Sequence, residues 1–361
     1  MTRLTFPVVV ALFALVASAC AATPTPAPPT AAATSPTSAT TSASPATSAA
    51  IPTSAPAGGS SATAAPKVTL TLFGAGTLAN PFKQLDAEFT KQYPNVTVQP
   101  QFGGSVKMVK QVTDLHQIAD VVAVADYNVI PSYLFGKNGK TAYTNWYVGF
   151  ATNAITFVYT DKSKFAGEIT PQNWYQVLAR PGVQIGRSNP DTDPSGYQTV
   201  QMLDLAEKYY NQPGLANAIL ANAPKTNMRD TETELIAALQ SGQIDYLAIY
   251  LSDARQHNFK YLDLPPQINL SDAKYSSSYA QAKAQTANGT LTGSPIVYAV
   301  TIPNNAAHSD WAIKYLQFLL GSDGQAVMTK NGFGSVAPAY VNDISKAPPD
   351  LSKLVTAWPS P

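Results

Sequence analysis

The chain contains one cysteine, Cys20, and three scattered histidines, His116, His257 and His308. A lone thiol cannot close an internal disulfide, and neither residue type reaches the spacing of a zinc site; the histidines read as surface or packing residues. Charge is scarce too: Asp, Glu, Lys and Arg make up 12% of the 361 residues, for a net charge of +1. That leaves no basic excess to hold nucleic acid and no acidic excess to steer a cationic partner. Several catalytic signatures are missing. There is no Gly-Lys-Ser/Thr phosphate loop, no GxGxxG opening a helix after a strand, and no G-x-S-x-G elbow. Asp126, Asp191, Asp193 and Asp245 could form an acid/base pair, but no histidine is placed beside them, so enzyme chemistry is not expected.

What is present begins with a targeting pattern. Arg3 precedes an apolar run from Leu4 to Val16, and Ala17, Ser18 and Ala19 precede Cys20. A basic start, a greasy stretch too short to span a membrane and small residues make a secretory signal over 1–20. The stretch resembles a bacterial lipobox, which implies lipidation of Cys20 and a membrane anchor; an ordinary cleaved signal with an incidental cysteine is the alternative. Residues 21–66 are almost entirely Ala, Thr, Pro and Ser, too polar and too small to offset the entropy of ordering, and read as a tether.

From Lys67 onward strands alternate with helices. Val68, Leu70 and Leu72 predict a first strand, and Pro81 opens a helix carrying Phe82, Leu85 and Phe89 on one face. Val96 to Val98 predicts a second strand, Ser105 opens a helix with Val106, Val109 and Val112, and Val121 to Val124 predicts a third strand. A second unit of this kind begins near Ala151. The fold class is therefore α/β, with mostly parallel sheets covered by helices on both faces. Such sheets place ligands at the carboxyl ends of their strands. Three turns stand there: Gly74-Ala75-Gly76-Thr77, Gly103-Gly104-Ser105 and Asp193-Pro194-Ser195-Gly196-Tyr197. Each joins a flexible backbone to a hydroxyl at a helix start, where free N–H groups favour an anion. Thr77, Ser105 and Ser195 taken singly would also serve as plain helix caps.

The stretches GAGTLANPF (74–82), FGGSVKMVKQVTDL (102–115), ADVVAVADYNVIP (119–131) and NWYQVLARPGVQIGRSNPDTDPSGYQ (173–198) resemble the archaeal-type molybdate/tungstate-binding proteins of ABC importers. ELIAALQSGQIDYLAIY (234–250) and GSPIVYAVTIPNNA (293–306) carry the likeness on, and it covers 67–340. The resemblance implies a two-lobed periplasmic-binding-protein fold of type II with two crossover strands: residues 67–150 with 299–361 in one lobe, 151–298 in the other. It implies an extracytoplasmic monomer that captures molybdate or tungstate in the cleft, needs no cofactor, and delivers the anion to the permease subunits of an ABC transporter. Sulfate or phosphate is the alternative ligand, and a tethered adhesin a further reading. Carried over residue by residue, the site consists of Gly76, Thr77, Ser105, Asp193, Pro194, Ser195 and Tyr250. The family's glutamate before the tyrosine is matched by Ile249. The expectation is therefore an anion held through four oxygens, with Tyr250 donating a hydrogen bond and Asp193 capping its helix. Direct ligation of the metal by Asp193 stays open.

Overall fold

The computed structural model describes residues 66–136, 139 and 141–359. The signal segment, Cys20 and the tether up to residue 65 lie outside them. None of the described helices is long and apolar enough to cross a membrane.

Two sheets organise the described chain. The larger has the order β14-β13-β4-β12-β3-β1-β2. Its strands are β1 (Val68–Ala75), β2 (Val96–Gly103), β3 (Val121–Val124), β4 (Val148–Thr152), β12 (Val297–Thr301), β13 (Gly334–Val341) and β14 (Val355–Ala357). The smaller has the order β7-β6-β8-β5-β9, from β5 (Ile155–Tyr159), β6 (Ile185–Ser188), β7 (Met228–Arg229), β8 (Tyr246–Tyr250) and β9 (Lys260–Tyr261). A hairpin of β10 (Lys283–Thr286) and β11 (Gly289–Thr292) stands apart. The chain leaves the larger sheet after β4, runs through Asn153 and Ala154 into β5, and returns from the hairpin into β12.

Both sheets are mixed rather than mostly parallel. β1 runs parallel to β2 and β3, but β12 is antiparallel to β3 and β4. The reason lies in the crossovers: β4 leads out of the larger half and β12 leads back, so the neighbouring strands point in opposite directions. In the smaller sheet β8 is likewise antiparallel to β5 and parallel to β6.

Helices cover both faces of the larger sheet. Ala79–Gln92 and Ser309–Leu320 pack on one, where Phe89 meets Tyr315 edge-on at 5.2 Å between ring centres. Ser105–Thr113 covers the other, burying Val106, Val109 and Val112 against Phe73 and Val122. The alternation along β8 sets up the site. Tyr246, Ala248 and Tyr250 face the main core, while Leu247 and Ile249 face a second apolar layer with Leu235, Leu239 and Ile244.

Candidate functional site

The three glycine turns lie at the carboxyl ends of β1, β2 and β6, and residues of both halves close over them. A Cβ added at Gly76 would meet Thr231 and Thr233 of the smaller half; one at Gly104 would lie 2.4 Å from the Thr192 carbonyl oxygen. The turns therefore face one another across the junction, with Thr77, Ser105, Asp193, Ser195 and Tyr250 all buried.

A hydroxyl chain links the halves. Thr77 Oγ1 and the Tyr298 hydroxyl are 2.9 Å apart. Asn153, in the first crossover, donates from Nδ2 to Ser252 Oγ at 2.8 Å and to the Tyr298 hydroxyl at 3.3 Å. Its Oδ1 accepts from the Ser252 amide at 3.2 Å. Ser105 Oγ accepts from the Ala125 amide at 3.0 Å, which leaves the serine proton to donate. Pro194 is the first residue of the helix Pro194–Tyr209, and Ser195 follows. Ser195 Oγ and Ser188 Oγ are buried without a hydrogen-bond partner among the described residues.

Several expectations need correcting. Asp193 occupies the N-cap position of that helix, but its side chain makes no cap hydrogen bond, and its Oδ2 is buried and unpartnered. Its carboxylate stands beside Glu232 in the buried site instead of turning back onto the helix. The Tyr250 hydroxyl donates to Gln198 Oε1 at 2.6 Å, so its proton is already committed. Two N–H groups at the start of helix Ser105–Thr113 are also in use: Val106 and Lys107 donate to the Thr192 carbonyl at 3.1 and 3.3 Å. Ile249 lies on the opposite face of β8 from Tyr250, so a carboxylate at 249 would point into the second apolar layer.

No acid was expected beside the tyrosine, where Ile249 stands, but the structure brings acids to the site from elsewhere. Glu232, 1% exposed, opens the 3-10 turn Glu232–Leu235 and stands beside Asp193. Asp253, 2% exposed, enters from helix Leu251–Gln256. None of the ion pairs among the described residues includes these three carboxylates. Burial raises the proton affinity of all three. The negative charge of Glu232 pushes Asp193 and Asp253 further up. Glu232, Asp253, Asn153 and Tyr298 had no distinguishing sequence signal. In TETEL an acidic residue reads as an ordinary first-turn helix residue, and Tyr298 reads as one more core residue of an apolar strand.

Three other polar side chains are occupied by structural contacts. Asp126 accepts from the Tyr197 hydroxyl at 2.6 Å, Asp245 accepts from the Gln184 amide at 2.8 Å, and His308 contacts Asp120. Among the described residues no group of three His, Cys, Asp or Glu side chains is arranged to hold a free metal ion.

Two mixed sheets joined by two crossovers, with a closed polar site between them, define a two-lobed periplasmic-binding-protein fold of type II. The chain belongs to the bacterial extracellular solute-binding protein family, whose model matches residues 70–334. An uncharacterised solute-binding protein of Petrotoga mobilis is 41% identical over 292 residues, 79% of this chain and 89% of that one. The molybdate/tungstate-binding protein WtpA of Pyrococcus abyssi is 36% identical over 325 residues, covering 82% and 92%. Among solved structures, the periplasmic molybdate-binding protein of Azotobacter vinelandii aligns with a TM-score of 0.55 at 18% identity, over 73% of this chain and 98% of that chain. The sulfate-binding protein SubI of Mycobacterium tuberculosis aligns at 0.54 and 15%, over 74% and 87%. These two likenesses concern the fold alone.

Proposed function

We propose that this chain captures molybdate or tungstate in the closed cleft and hands it to the permease subunits of an ABC transporter. The proposal assigns residues 67–150 and 299–361 to one lobe and 151–298 to the other. It places the chain as a monomer outside the cytoplasm, held to the membrane by a lipid on Cys20 and the tether that follows. The curated WtpA relatives support the ligand class.

The observation that carries the reading is the pair of buried carboxylates, Asp193 and Glu232, set among hydroxyl donors with no cationic partner. Beside a dianion a carboxylate is repulsive unless it binds the central atom or holds a proton. Molybdenum and tungsten accept more than four oxygens; sulfur in sulfate does not. Asp193 and Glu232 therefore suit a six-coordinate metal oxyanion, in place of the four-oxygen arrangement that the residue at 249 suggested. Thr77, Ser105 and Ser195 supply hydroxyl donors, Gly76 and Pro194 shape the turns that present them, and Tyr250 acts through Gln198.

Calorimetric titration with molybdate, tungstate, sulfate and phosphate tests this. Tight binding of the two metal oxyanions, at least tenfold weakened in Glu232→Gln, is expected, together with X-ray absorption showing more than four oxygens around the metal. Phosphate carries a proton that the same carboxylates could accept. Sulfate or phosphate binding tighter than molybdate and tungstate would overturn the reading.

A further inference from the structure

We infer that the smaller half carries a second anion site, separate from the cleft and built around Arg187, for a small molecule bearing carboxylate or phosphate groups. A cavity of about 800 Å³ opens beside the edge of the smaller sheet, lined in part by Arg187, Lys225 and Arg229. That volume lies within the roughly 300–1,000 Å³ of small-molecule sites. It shares no lining residue with the cluster of Thr77, Ser105, Asp193, Glu232 and Tyr250.

Arg187 is the residue that demands a ligand. It comes from β6, one position before Ser188 and so on the other face of the strand. Its Nε and Nη1 are buried and have no hydrogen-bond partner among the described residues. Guanidinium nitrogens withdrawn from water without an acceptor are costly, and the half-buried side chain still opens onto the cavity, where a carboxylate or phosphate group would meet its charge.

The acids on the cavity wall do not fill this role. Asp230 pairs with Lys107 at 2.6 Å. Asp191 accepts from the Ala287 amide at 2.7 Å, and Glu234 accepts from Thr231 Oγ1 at 3.1 Å. Arg229 donates from Nη1 to the Thr226 and Met228 carbonyls, neither of them charged. None of the ion pairs among the described residues includes Arg187, Lys225 or Arg229. Three cations thus meet at one cavity with no carboxylate bound to them.

The test is calorimetric titration of the full chain with citrate as the polycarboxylate probe and pyrophosphate as the polyphosphate probe, each with and without saturating molybdate. Binding of at least one probe is expected, undiminished by molybdate, weakened at least tenfold in Arg187→Met and unchanged in Glu232→Gln. Which probe binds decides between the two ligand chemistries. Should Arg187→Met fail to fold, the exposed double variant Lys225→Ala, Arg229→Ala is expected to show the same loss. No binding of either probe, equal binding by the variants, or displacement by molybdate would each reject the site. Failure of molybdate itself to bind would strike only the function proposed for the cleft, because the comparison of citrate with Arg187→Met needs no molybdate.

Discussion

Asp193, Glu232 and Asp253 bring three acidic groups into a space closed to water, and protons are what make that tolerable in the free protein. Burial raises the affinity of each folded carboxyl for its proton above the unfolded value. A raised folded value gives stability that is fully present below the unfolded value, 3.8 for Asp and 4.5 for Glu, and is lost as pH rises through the folded one. Ligand-free protein should therefore lose stability as pH increases above about 4.5. Denaturant titrations across pH should show a shallower loss in Glu232→Gln; an identical slope would remove Glu232 from the titrating cluster. Tyr250→Phe makes a separate residue-scale prediction. It leaves Gln198 Oε1 buried without its donor at 2.6 Å, costing about 1–3 kcal/mol of stability. Affinity should fall through displacement of Gln198, with the number of oxygens around the bound metal unchanged by X-ray absorption.

Turns and strands set how those residues meet. Gly104 approaches Thr192 so closely that a methyl group there would lie 2.4 Å from a backbone oxygen. Gly104→Ala should therefore hold the halves apart and weaken anion binding at least tenfold by calorimetry. Unchanged affinity would show that closure does not need this contact. On β8, Ile249→Glu should cost more than about 2 kcal/mol, because it drives a charge into the layer of Leu235, Leu239 and Ile244. Improved anion binding in that variant would contradict the assigned face. Away from the site, helix Ala79–Gln92 presents Asp86 to the Tyr315 hydroxyl at 2.7 Å, and burial pushes that carboxyl up to about 6. Its contribution is complete below 3.8 and disappears as pH rises through about 6, so Asp86→Asn should flatten the stability profile in that window.

Closure of the whole molecule rests on contacts between the halves that bypass the anion. The Thr192 carbonyl caps the helix Ser105–Thr113, Lys107 pairs with Asp230, and Tyr197 donates to Asp126. Asn128 Nδ2 donates to Ser294 Oγ at 3.1 Å. These interactions form only when the halves meet, so they add to affinity without distinguishing one oxyanion from another. Tyr197→Phe should weaken molybdate and tungstate by the same factor and leave their ratio intact; a change in that ratio would give Tyr197 a role in selection. A ligand that binds only the folded, closed form stabilises it by about 2.7 kcal/mol at one hundred times its dissociation constant. Molybdate at that excess should raise the melting temperature by several degrees.

The order of strands and helices and the three glycine turns could be read from the chain alone, because apolar periodicity and turn chemistry depend on residues a few positions apart. The strand β1, the helix Ala79–Gln92 and the turn at Ser105 follow directly from Val68, Leu70, Leu72, Pro81 and Gly103-Gly104. Strand β13, the hairpin β10–β11 and the mixed direction of the sheets did not follow, since pairing partners are chosen by tertiary packing. The site was legible in its hydroxyl turns but not in its acids. Thr77 finds Tyr298 across a separation of 221 residues, Asn153 finds Ser252 across 99, and Glu232 reaches Asp193 only through the folding of the smaller half. Ile249 stood next to Tyr250 in sequence and for that reason faces away from it, because neighbouring residues of a strand point to opposite sides. Local pattern thus determined the elements and where their turns fall; the three-dimensional meeting of distant segments decided which carboxylates share the site.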